Sequence, residues 1–265
     1  MMRPVTKEEI RAIQLELLDD VHTFCSRHNL RYSLCGGTML GAVRHHGYIP
    51  WDDDIDLMML RQDYDRFIKE YAGEKNEVVD LSRIETCEEQ FIKVSRKGTI
   101  MKDVLMGREL FGVNIDIFPI DGMPEDFRPY TATLQNLHQT VKTICPRYKS
   151  ATRHKLYWYL RHCAKGLFQD SEKRTLALKS QLNATVRQHL PEQSPLSTVI
   201  FGDFVIYPFP TSVFEVYDDI LFEGKNYRCI QERDLYLSTV YGNYMQLPPV
   251  EKRVSHHHYD AYIEE

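Results

Sequence analysis

The chain has 265 residues, of which 43% are hydrophobic and 27% are charged, and its 33 basic and 38 acidic side chains give a net charge of -5. This length and apolar content exclude a disordered or low-complexity chain and predict a folded protein with a sizeable core. No uncharged apolar run approaches about 18 residues, and the first residues lack the apolar block of a signal peptide. We therefore expect a cytoplasmic protein. The negative charge and the absence of a recognition motif argue against a nucleic-acid partner.

The cysteines are scattered and form no C-x-x-C pair. This spacing predicts neither a disulfide framework nor a tetrahedral zinc site, so we expect reduced, structural thiols. The six positions are Cys25, Cys35, Cys87, Cys145, Cys163 and Cys229.

The first predicted element is an amphipathic helix. Thr6 and Glu9 have the spacing of a capping box, and apolar residues then recur at helical intervals to about Asn29. A short strand over residues 31–35 follows, and the pair Gly36–Gly37 predicts a turn into a second helix.

Thr38 is the expected N-cap of that second helix. After it, residues 55–60 have the β-branched and apolar content of a buried strand. The periodicity predicts a helix over residues 63–71 and strands over residues 77–81, 91–95, 99–104 and 111–118.

The middle of the chain has a helical pattern over residues 126–189, with breaks expected near residues 145–146 and 166–171. Residues 216–230 predict a hairpin with a Gly-Lys-Asn turn, and Asp234 is the expected cap of a last helix. We interpret the organisation as a catalytic core over residues 1–125, a helical subdomain over residues 126–200, and a C-terminal part over residues 201–265 that packs back on the core. The expected fold class is α+β.

Four aspartates within residues 52–56 are the strongest indication of function in the sequence. Residues two apart on a strand point to the same side, so Asp54 and Asp56 would present two carboxylates on one face while Ile55 is buried on the other. Clustered carboxylates repel one another, and a hard divalent cation such as Mg²⁺ relieves that repulsion. A glycine pair at the start of a helix lets a phosphate approach the backbone. Together these features suggest metal-assisted phosphoryl chemistry.

The same segment resembles the signature of LicD-family phosphotransferases, which have relatives among the fukutin-type proteins. Residues 36–56 read GGTMLGAVRHHGYIPWDDDID, residues 113–122 read VNIDIFPIDG, and FEG at 222–224 is followed by YGNYMQLPP at 241–249. The resemblance covers both ends of the chain, whereas residues 126–200 contain no motif of the family.

This resemblance implies a nucleotidyltransferase-like fold, with a mixed sheet in which Asp54 and Asp56 lie on the second strand and Asp116 on a later one. It also implies transfer of a phospho-alcohol, typically phosphocholine from CDP-choline, to a cell-surface glycan or its lipid-linked precursor, with release of CMP. We expect the three aspartates to hold Mg²⁺ or Mn²⁺, and Asp116 alternatively to act as general base.

Four further residues are expected to bind the substrate. The backbone of Gly36, Gly37 and Thr38 would hold a phosphate, and Arg44 would reach that phosphate or another acidic group.

Other acidic and histidine residues have open interpretations. Asp52 could lie behind the metal ligands, Asp53 is expected to turn away from them, and Asp121 is either a turn residue or part of the site. The three histidines at 256–258 could include a phosphate or acceptor contact.

Residues 139–179 contain ten basic and two acidic side chains interleaved with aromatic ones. Such a surface could dock on the inner face of a membrane or on an acidic polysaccharide, or it could be an ordinary solvated helical face.

Two other functions compete with the main interpretation. A nucleotidyltransferase would add NMP to a small alcohol, sugar or antibiotic and release pyrophosphate. A non-catalytic binding protein would bind neither Mg²⁺ nor a nucleotide.

Overall fold

The computed structural model describes residues 2–103, 111–145, 165–199, 206–255 and 259–264. The helices in these ranges are α1 (Lys7–His28), α2 (Gly36–His45), α3 (Arg61–Glu70), α4 (Phe127–Ile144), α5 (Lys165–Val186) and α6 (Arg233–Tyr241). The strands are β1 (Met2–Val5), β2 (Ser33–Leu34), β3 (Asp56–Leu60), β4 (Asn76–Asp80), β5 (Ile92–Arg96), β6 (Thr99–Asp103), β7 (Asn114–Met123), β8 (Leu196–Val199), β9 (Phe209–Pro210), β10 (Tyr217–Phe222), β11 (Lys225–Ile230) and β12 (Tyr259–Glu264). Short 3₁₀ helices lie at Leu81–Arg83, Pro191–Gln193, Thr211–Phe214 and Val250–Lys252. The α+β class is confirmed.

The central sheet has the strand order β2-β3-β7-β5-β4, and β8 and β9 extend it beyond β7. Strands β3 and β7 run parallel, while the other described neighbours in this sheet are antiparallel. The expectation of a mixed sheet is therefore confirmed. All residues of β3 after Asp56 are buried, as expected for a strand covered on both faces.

Strand β7 is ten residues long, and its two halves pair with different strands. Its first half pairs with β5 from Asn114 to Ile117, and its last half pairs with β8 from Ile120 to Met123. The range 126–200 thus supplies a strand of the central sheet in addition to helices α4 and α5.

Two smaller sheets complete the fold. Strands β1, β12 and β6 form an antiparallel sheet that joins the first and last described residues of the chain. Strands β10 and β11 form the predicted hairpin, but the turn is made by Glu223 and Gly224, whose φ angles of 49° and 80° suit a tight hairpin turn. The predicted Gly-Lys-Asn turn is therefore displaced by one residue, because Lys225 and Asn226 pair within β11.

The helix boundaries confirm some predictions and correct others. The Thr6–Glu9 capping box is present, and α1 ends at a left-handed Asn29. Helix α5 continues through residues 166–171, so the break predicted there is wrong. Asp234 lies in the first turn of α6, whereas Glu232 is the N-cap residue.

Asp121 is not in a turn. It lies within β7, and its fully buried carboxylate accepts two hydrogen bonds from the buried Arg61 guanidinium, at 2.7 and 2.6 Å. The pair fixes α3 against β7, because removal of either partner would leave an uncompensated buried charge.

The basic segment 139–179 is described only at its ends, since residues 146–164 lie outside the described ranges. Within it, Lys179 is 1% exposed and donates hydrogen bonds to the backbone carbonyls of Leu81, Ile84 and Cys87. Lys179 is therefore a structural residue and does not belong to a docking surface.

The described part of the chain contains no helix with the length and apolar character needed to cross a bilayer. Among the described residues, the five cysteines form no disulfide. The histidines at 256–258 lie outside the described residues.

Candidate active site

The predicted aspartates meet where β3 begins beside β7. Asp56 is the first residue of β3 and is paired in register with Asp116 on β7. The neighbours Ile55, Ile115 and Ile117 are buried, so the two carboxylates share the other face of the sheet. Asp54 does not lie on the strand as expected, because it belongs to the irregular segment that precedes β3.

The backbone of the acidic segment, residues 52–54, is hydrogen-bonded to side chains of helix α1. Arg11 donates a hydrogen bond to the carbonyl oxygen of Asp52, and Gln14 donates one to that of Asp53, at 2.8 and 2.9 Å. The hydroxyl of Ser255 donates to the Asp53 carboxylate. These contacts fix a backbone that has no regular secondary structure of its own.

The carboxylates of the segment lie close together. Oxygens of Asp52, Asp53 and Asp54 all lie within 4.8 Å of one another, and this is the one such triad of possible ligands among the residues that the structure describes. The carboxylate oxygens of Asp54, Asp56 and Asp116 do not all lie within 4.8 Å of one another. Asp53, which was expected to turn away from the metal ligands, has a carboxylate oxygen within 4.8 Å of an oxygen of Asp54.

The electrostatic environment of Asp56 is unfavourable for a negative charge. Burial raises the pKa of its carboxyl well above the usual range, and the charges of Asp54, Asp116 and Asp52 raise it further. Lys93 acts in the opposite direction. A cation between these carboxylates would remove the main source of repulsion.

The glycine pair makes room for these carboxylates. A Cβ atom on Gly36 would lie 3.0 Å from Asp56 Oδ2, and one on Gly37 would lie 2.7 Å from Asp52 Oδ2. Gly36 also has a φ angle of 49°, which favours glycine. A carboxylate oxygen therefore fills the space beside each glycine, and the expected phosphate contact of Gly36, Gly37 and Thr38 stays a prediction.

Thr38 is not the N-cap of α2, since the helix already begins at Gly36 and Cys35 precedes it. Instead, its hydroxyl accepts a hydrogen bond of 2.8 Å from the backbone N–H of Asp56. The Cys35 N–H donates to the Asp56 carbonyl at 2.9 Å. Both contacts fix the first turn of α2 to the first residue of β3.

Lys93 on β5 is a site residue that the sequence did not reveal. It pairs in register with Asp116, and its ammonium group lies 2.6 and 2.8 Å from the two carboxylate oxygens. Burial by itself would lower the pKa of Lys93, but the negative charges of Asp116 and Glu89 outweigh burial and raise it. No local signal marks Lys93, because the contact depends on the register of two strands that are distant in sequence.

Tyr241 at the end of α6 is a second such residue. Its hydroxyl lies 3.7 Å from the position that a Cβ on Gly36 would take. Burial raises the pKa of this phenol, and the charge of Asp56 raises it further. The YGNYMQLPP segment that begins at Tyr241 was the available sequence signal.

Arg44 contacts its neighbour His45 and the C-terminal segment, and its expected contact with a phosphate stays a prediction. Its guanidinium donates to the carbonyl of Tyr244 at 2.8 Å and to His45 Nε2 at 3.0 Å. Burial and the neighbouring charge of Arg44 lower the pKa of His45, which suits a neutral imidazole that accepts this bond. Among the described residues Arg44 has no carboxylate partner.

The donor set fits a hard divalent cation. Mg²⁺ and Mn²⁺ prefer carboxylate oxygens, and here the partly buried carboxylates of Asp52, Asp53 and Asp54 have oxygens within 4.8 Å of one another, next to Asp56. These residues are the ones that would hold the ion.

Comparisons with known proteins agree with the motif-based resemblance. A model of the family described as LicD/FKTN/FKRP, nucleotidyltransferase domain, matches residues 29–144. The chain is 30% identical to the lipopolysaccharide cholinephosphotransferase LicD of Haemophilus influenzae over 271 residues, which cover 99% of this chain and 100% of that protein. The human ribitol 5-phosphate transferase FKRP is 43% identical over 51 residues, which are 19% of this chain and 10% of FKRP. An uncharacterised protein of Rickettsia typhi is 43% identical over 56 residues, or 21% of this chain and 18% of the relative.

Proposed function

Because the chain belongs to the LicD family and is a phosphotransferase, we propose that it transfers phosphocholine from CDP-choline to a glycan or a lipid-linked glycan precursor and releases CMP. The observation that carries the proposal is the full-length similarity to a cholinephosphotransferase that acts on lipopolysaccharide. The partial match to a ribitol 5-phosphate transferase makes CDP-ribitol the next donor to test. A cytoplasmic location and a nucleotidyltransferase-like fold are part of the proposal.

The reaction requires a nucleophile, a leaving group and compensation of charge. The acceptor hydroxyl attacks the phosphorus that bears the alcohol, the bond from that phosphorus to the bridging oxygen breaks, and CMP leaves. In this proposal Asp54 and Asp56, with Asp52 beside them, hold the divalent cation. When bound, the cation would neutralise charge on the diphosphate as the bridging oxygen departs.

Asp116 has two possible roles, which are to share the cation or to accept the proton of the attacking hydroxyl. Its pairing in register with Asp56 supports both roles. Lys93 contacts both of its oxygens and so fixes the orientation of the carboxylate for either role. Gly36 and Thr38 position the acids, through the missing Cβ and the hydroxyl that accepts from Asp56.

The proposal is tested by incubating the protein with Mg²⁺, a glycolipid acceptor fraction, and CDP-choline, CDP-ribitol or CTP, while CMP and pyrophosphate are measured. We expect CMP from CDP-choline and at least a roughly hundredfold loss of rate in Asp54→Asn, because that substitution removes a charge and retains the shape. Asp219→Asn is the matched control, since Asp219 is an exposed acid that pairs with Arg228 on the hairpin.

Each other result has a defined meaning. Pyrophosphate release from CTP would replace the proposal with a nucleotidyltransferase. Equal rates for Asp54→Asn and Asp219→Asn would exclude the role of Asp54. Release of CMP from CDP-ribitol alone would change the transferred alcohol and retain the reaction.

A further inference from the structure

The C-terminal segment brings a second arginine to the candidate active site. Arg253 donates a hydrogen bond from Nε to the carbonyl of Pro248 at 2.9 Å, and its Cζ lies 5.5 Å from the centre of the Trp51 ring. Trp51 directly precedes the acidic segment, and its ring meets that of His45 edge to face at 6.3 Å. Arg44, His45, Trp51 and Arg253 thus form a continuous row beside the aspartates.

Arg44 lies within reach of the charge of Arg253. The charge of Arg253 lowers the pKa of Arg44, in addition to the effect of burial. Within the described ranges, neither guanidinium has an ion-pair partner. Two partly buried guanidinium groups close together, without a carboxylate, are unfavourable unless an anion binds between them.

The nearby contacts place this pair at the edge of the acidic site. Arg44 is bound to the carbonyl of Tyr244, three residues beyond Tyr241, whose hydroxyl lies close to Gly36. Ser255, two residues beyond Arg253, donates to the Asp53 carboxylate. The C-terminal segment therefore contacts Arg44 through Tyr244 and the acidic segment through Ser255.

Phosphoryl oxygens are the anion that this arrangement suits. The guanidinium group offers several N–H donors in a planar fork, which matches the oxygens of a phosphate. The carbonyl and imidazole contacts use the Nε and Nη1 donors of Arg44 and the Nε donor of Arg253, so other Nη donors of both side chains stay available in the described part of the chain.

We propose that Arg44 and Arg253 together bind the diphosphate of the nucleotide-activated donor, beside the aspartates that hold the cation. This inference rests on the proposed function and adds Arg253, the Trp51 ring that supports it, and the class of ligand. The aspartates alone would repel the diphosphate, whereas the arginine pair attracts it and orients it toward them.

Binding is measured first without turnover. Isothermal titration of the metal-free protein with inorganic pyrophosphate and with CMP is compared for wild type, Arg253→Gln, Arg253→Lys and Lys252→Gln. We expect pyrophosphate affinity to fall by roughly tenfold or more in Arg253→Gln and to return in part in Arg253→Lys, which retains the charge but not the fork. Lys252→Gln is the matched control, because it removes the neighbouring exposed charge.

Kinetics identify which substrate supplies the phosphate. With saturating acceptor, the KM for CDP-choline should rise by about tenfold in Arg253→Gln while kcat changes by less, as for a residue that binds ground state and transition state alike. With saturating donor, the KM for the acceptor should be unchanged. A shift in the acceptor KM alone would overturn the assignment to the donor.

Unchanged pyrophosphate affinity in both Arg253→Gln and Arg44→Gln, in variants that unfold at the wild-type temperature, would overturn the site itself. Arg253-dependent binding of pyrophosphate without CMP release from any CDP-alcohol would retain the anion site and overturn the proposed reaction. The two proposals therefore fail by different results.

Discussion

At the scale of single residues, Asp56 combines two opposing requirements. In the proposed site it would be charged in order to hold a cation, yet its burial and its acidic neighbours raise the pKa of the carboxyl. Active sites commonly contain such conflicts, because the ligand supplies the missing compensation. Strand pairing alone would not require an acid at this position.

The pH dependence of stability follows from that raised pKa. The folded protein binds a proton at Asp56 more tightly than the unfolded chain does, so the metal-free protein loses stability as pH rises from the unfolded pKa of about 4 through the folded value. Each unit of the shift corresponds to about 1.4 kcal/mol. Asp56→Asn removes this effect.

We therefore expect Asp56→Asn to gain stability relative to wild type between pH 5 and 8 in EDTA, measured by denaturant unfolding. Adding Mg²⁺ should stabilise wild type and leave Asp56→Asn nearly unchanged, because ligand that binds only the folded state raises its stability. If the wild-type protein instead became more stable than Asp56→Asn as the pH rose in EDTA, the Asp56 carboxylate would not be destabilised by burial and its acidic neighbours.

The sequence indicated part of this residue-scale arrangement. The alternation of aspartate and isoleucine around Asp56 and Asp116 predicted which side chains face away from the core, and burial of their neighbours confirms it. Lys93 was beyond prediction, because nothing in residues 91–96 shows which aspartate lies opposite. Asp121 was misread for a related reason, since its partner Arg61 is 60 positions away in the chain.

At the scale of elements, the start of α2 and the start of β3 behave as one unit. The Thr38 hydroxyl and the Cys35 backbone N–H both contact the backbone of Asp56, and Gly36 permits the close approach of its carboxylate. The sequence predicted a strand, glycines and a helix in this order. It did not predict that the helix end would contact carboxylates, because that depends on the position of β3.

Gly36→Ala tests this unit, and Gly224→Ala is its matched control. Both glycines have positive φ angles, 49° and 80°, but a Cβ would meet Asp56 Oδ2 at 3.0 Å in the first and nothing within 4 Å in the second. Each substitution should lower the free energy of unfolding by about 1–2 kcal/mol through backbone strain. Only Gly36→Ala should also lower the rate of CMP release, by about tenfold, through displacement of Asp56.

The two glycine variants are compared in the same denaturant titration and the same rate assay. Equal rates for Gly36→Ala and Gly224→Ala would show that the Gly36 contact positions nothing that the reaction uses. That result would leave the steric argument confined to stability.

At the scale of the whole molecule, the helices after β7 are attached to the sheet by polar contacts as well as apolar ones. Leu134, Leu182 and Val186 form a small separate core between α4 and α5. Lys179 of α5 reaches across to three carbonyls around the 3₁₀ helix Leu81–Arg83, and Arg187 pairs with Asp65 of α3. The range 126–200 is therefore joined to the core at several points.

Lys179→Met should destabilise the protein by about 2–4 kcal/mol, because buried carbonyls would lose their donor. Lys173→Met on the same helix is the control, since Lys173 is exposed and should change stability by less than about 0.5 kcal/mol. Thermal and denaturant unfolding measure both. Similar stability of the two variants would show that the carbonyls around Leu81 do not depend on Lys179.

Local sequence patterns by themselves determined several helices and strands, the first helix cap and the position of the acidic site. The spacing of apolar residues predicted α1, β3, the first half of β7 and the hairpin strands, the Thr6–Glu9 pair predicted the first cap, and the motif over residues 36–56 indicated the family and the acidic site. These features depend on residues that are neighbours in the chain, or on residues that recur at a fixed period.

Tertiary structure alone decided the remaining features. The pairings of Lys93 with Asp116, Arg61 with Asp121, Lys179 with its carbonyls, and Arg253 with Trp51 each join residues that are far apart in sequence. Charges in such positions look like ordinary surface residues in the sequence. Their partners are set by strand register and helix packing, which arise from the burial of the whole core.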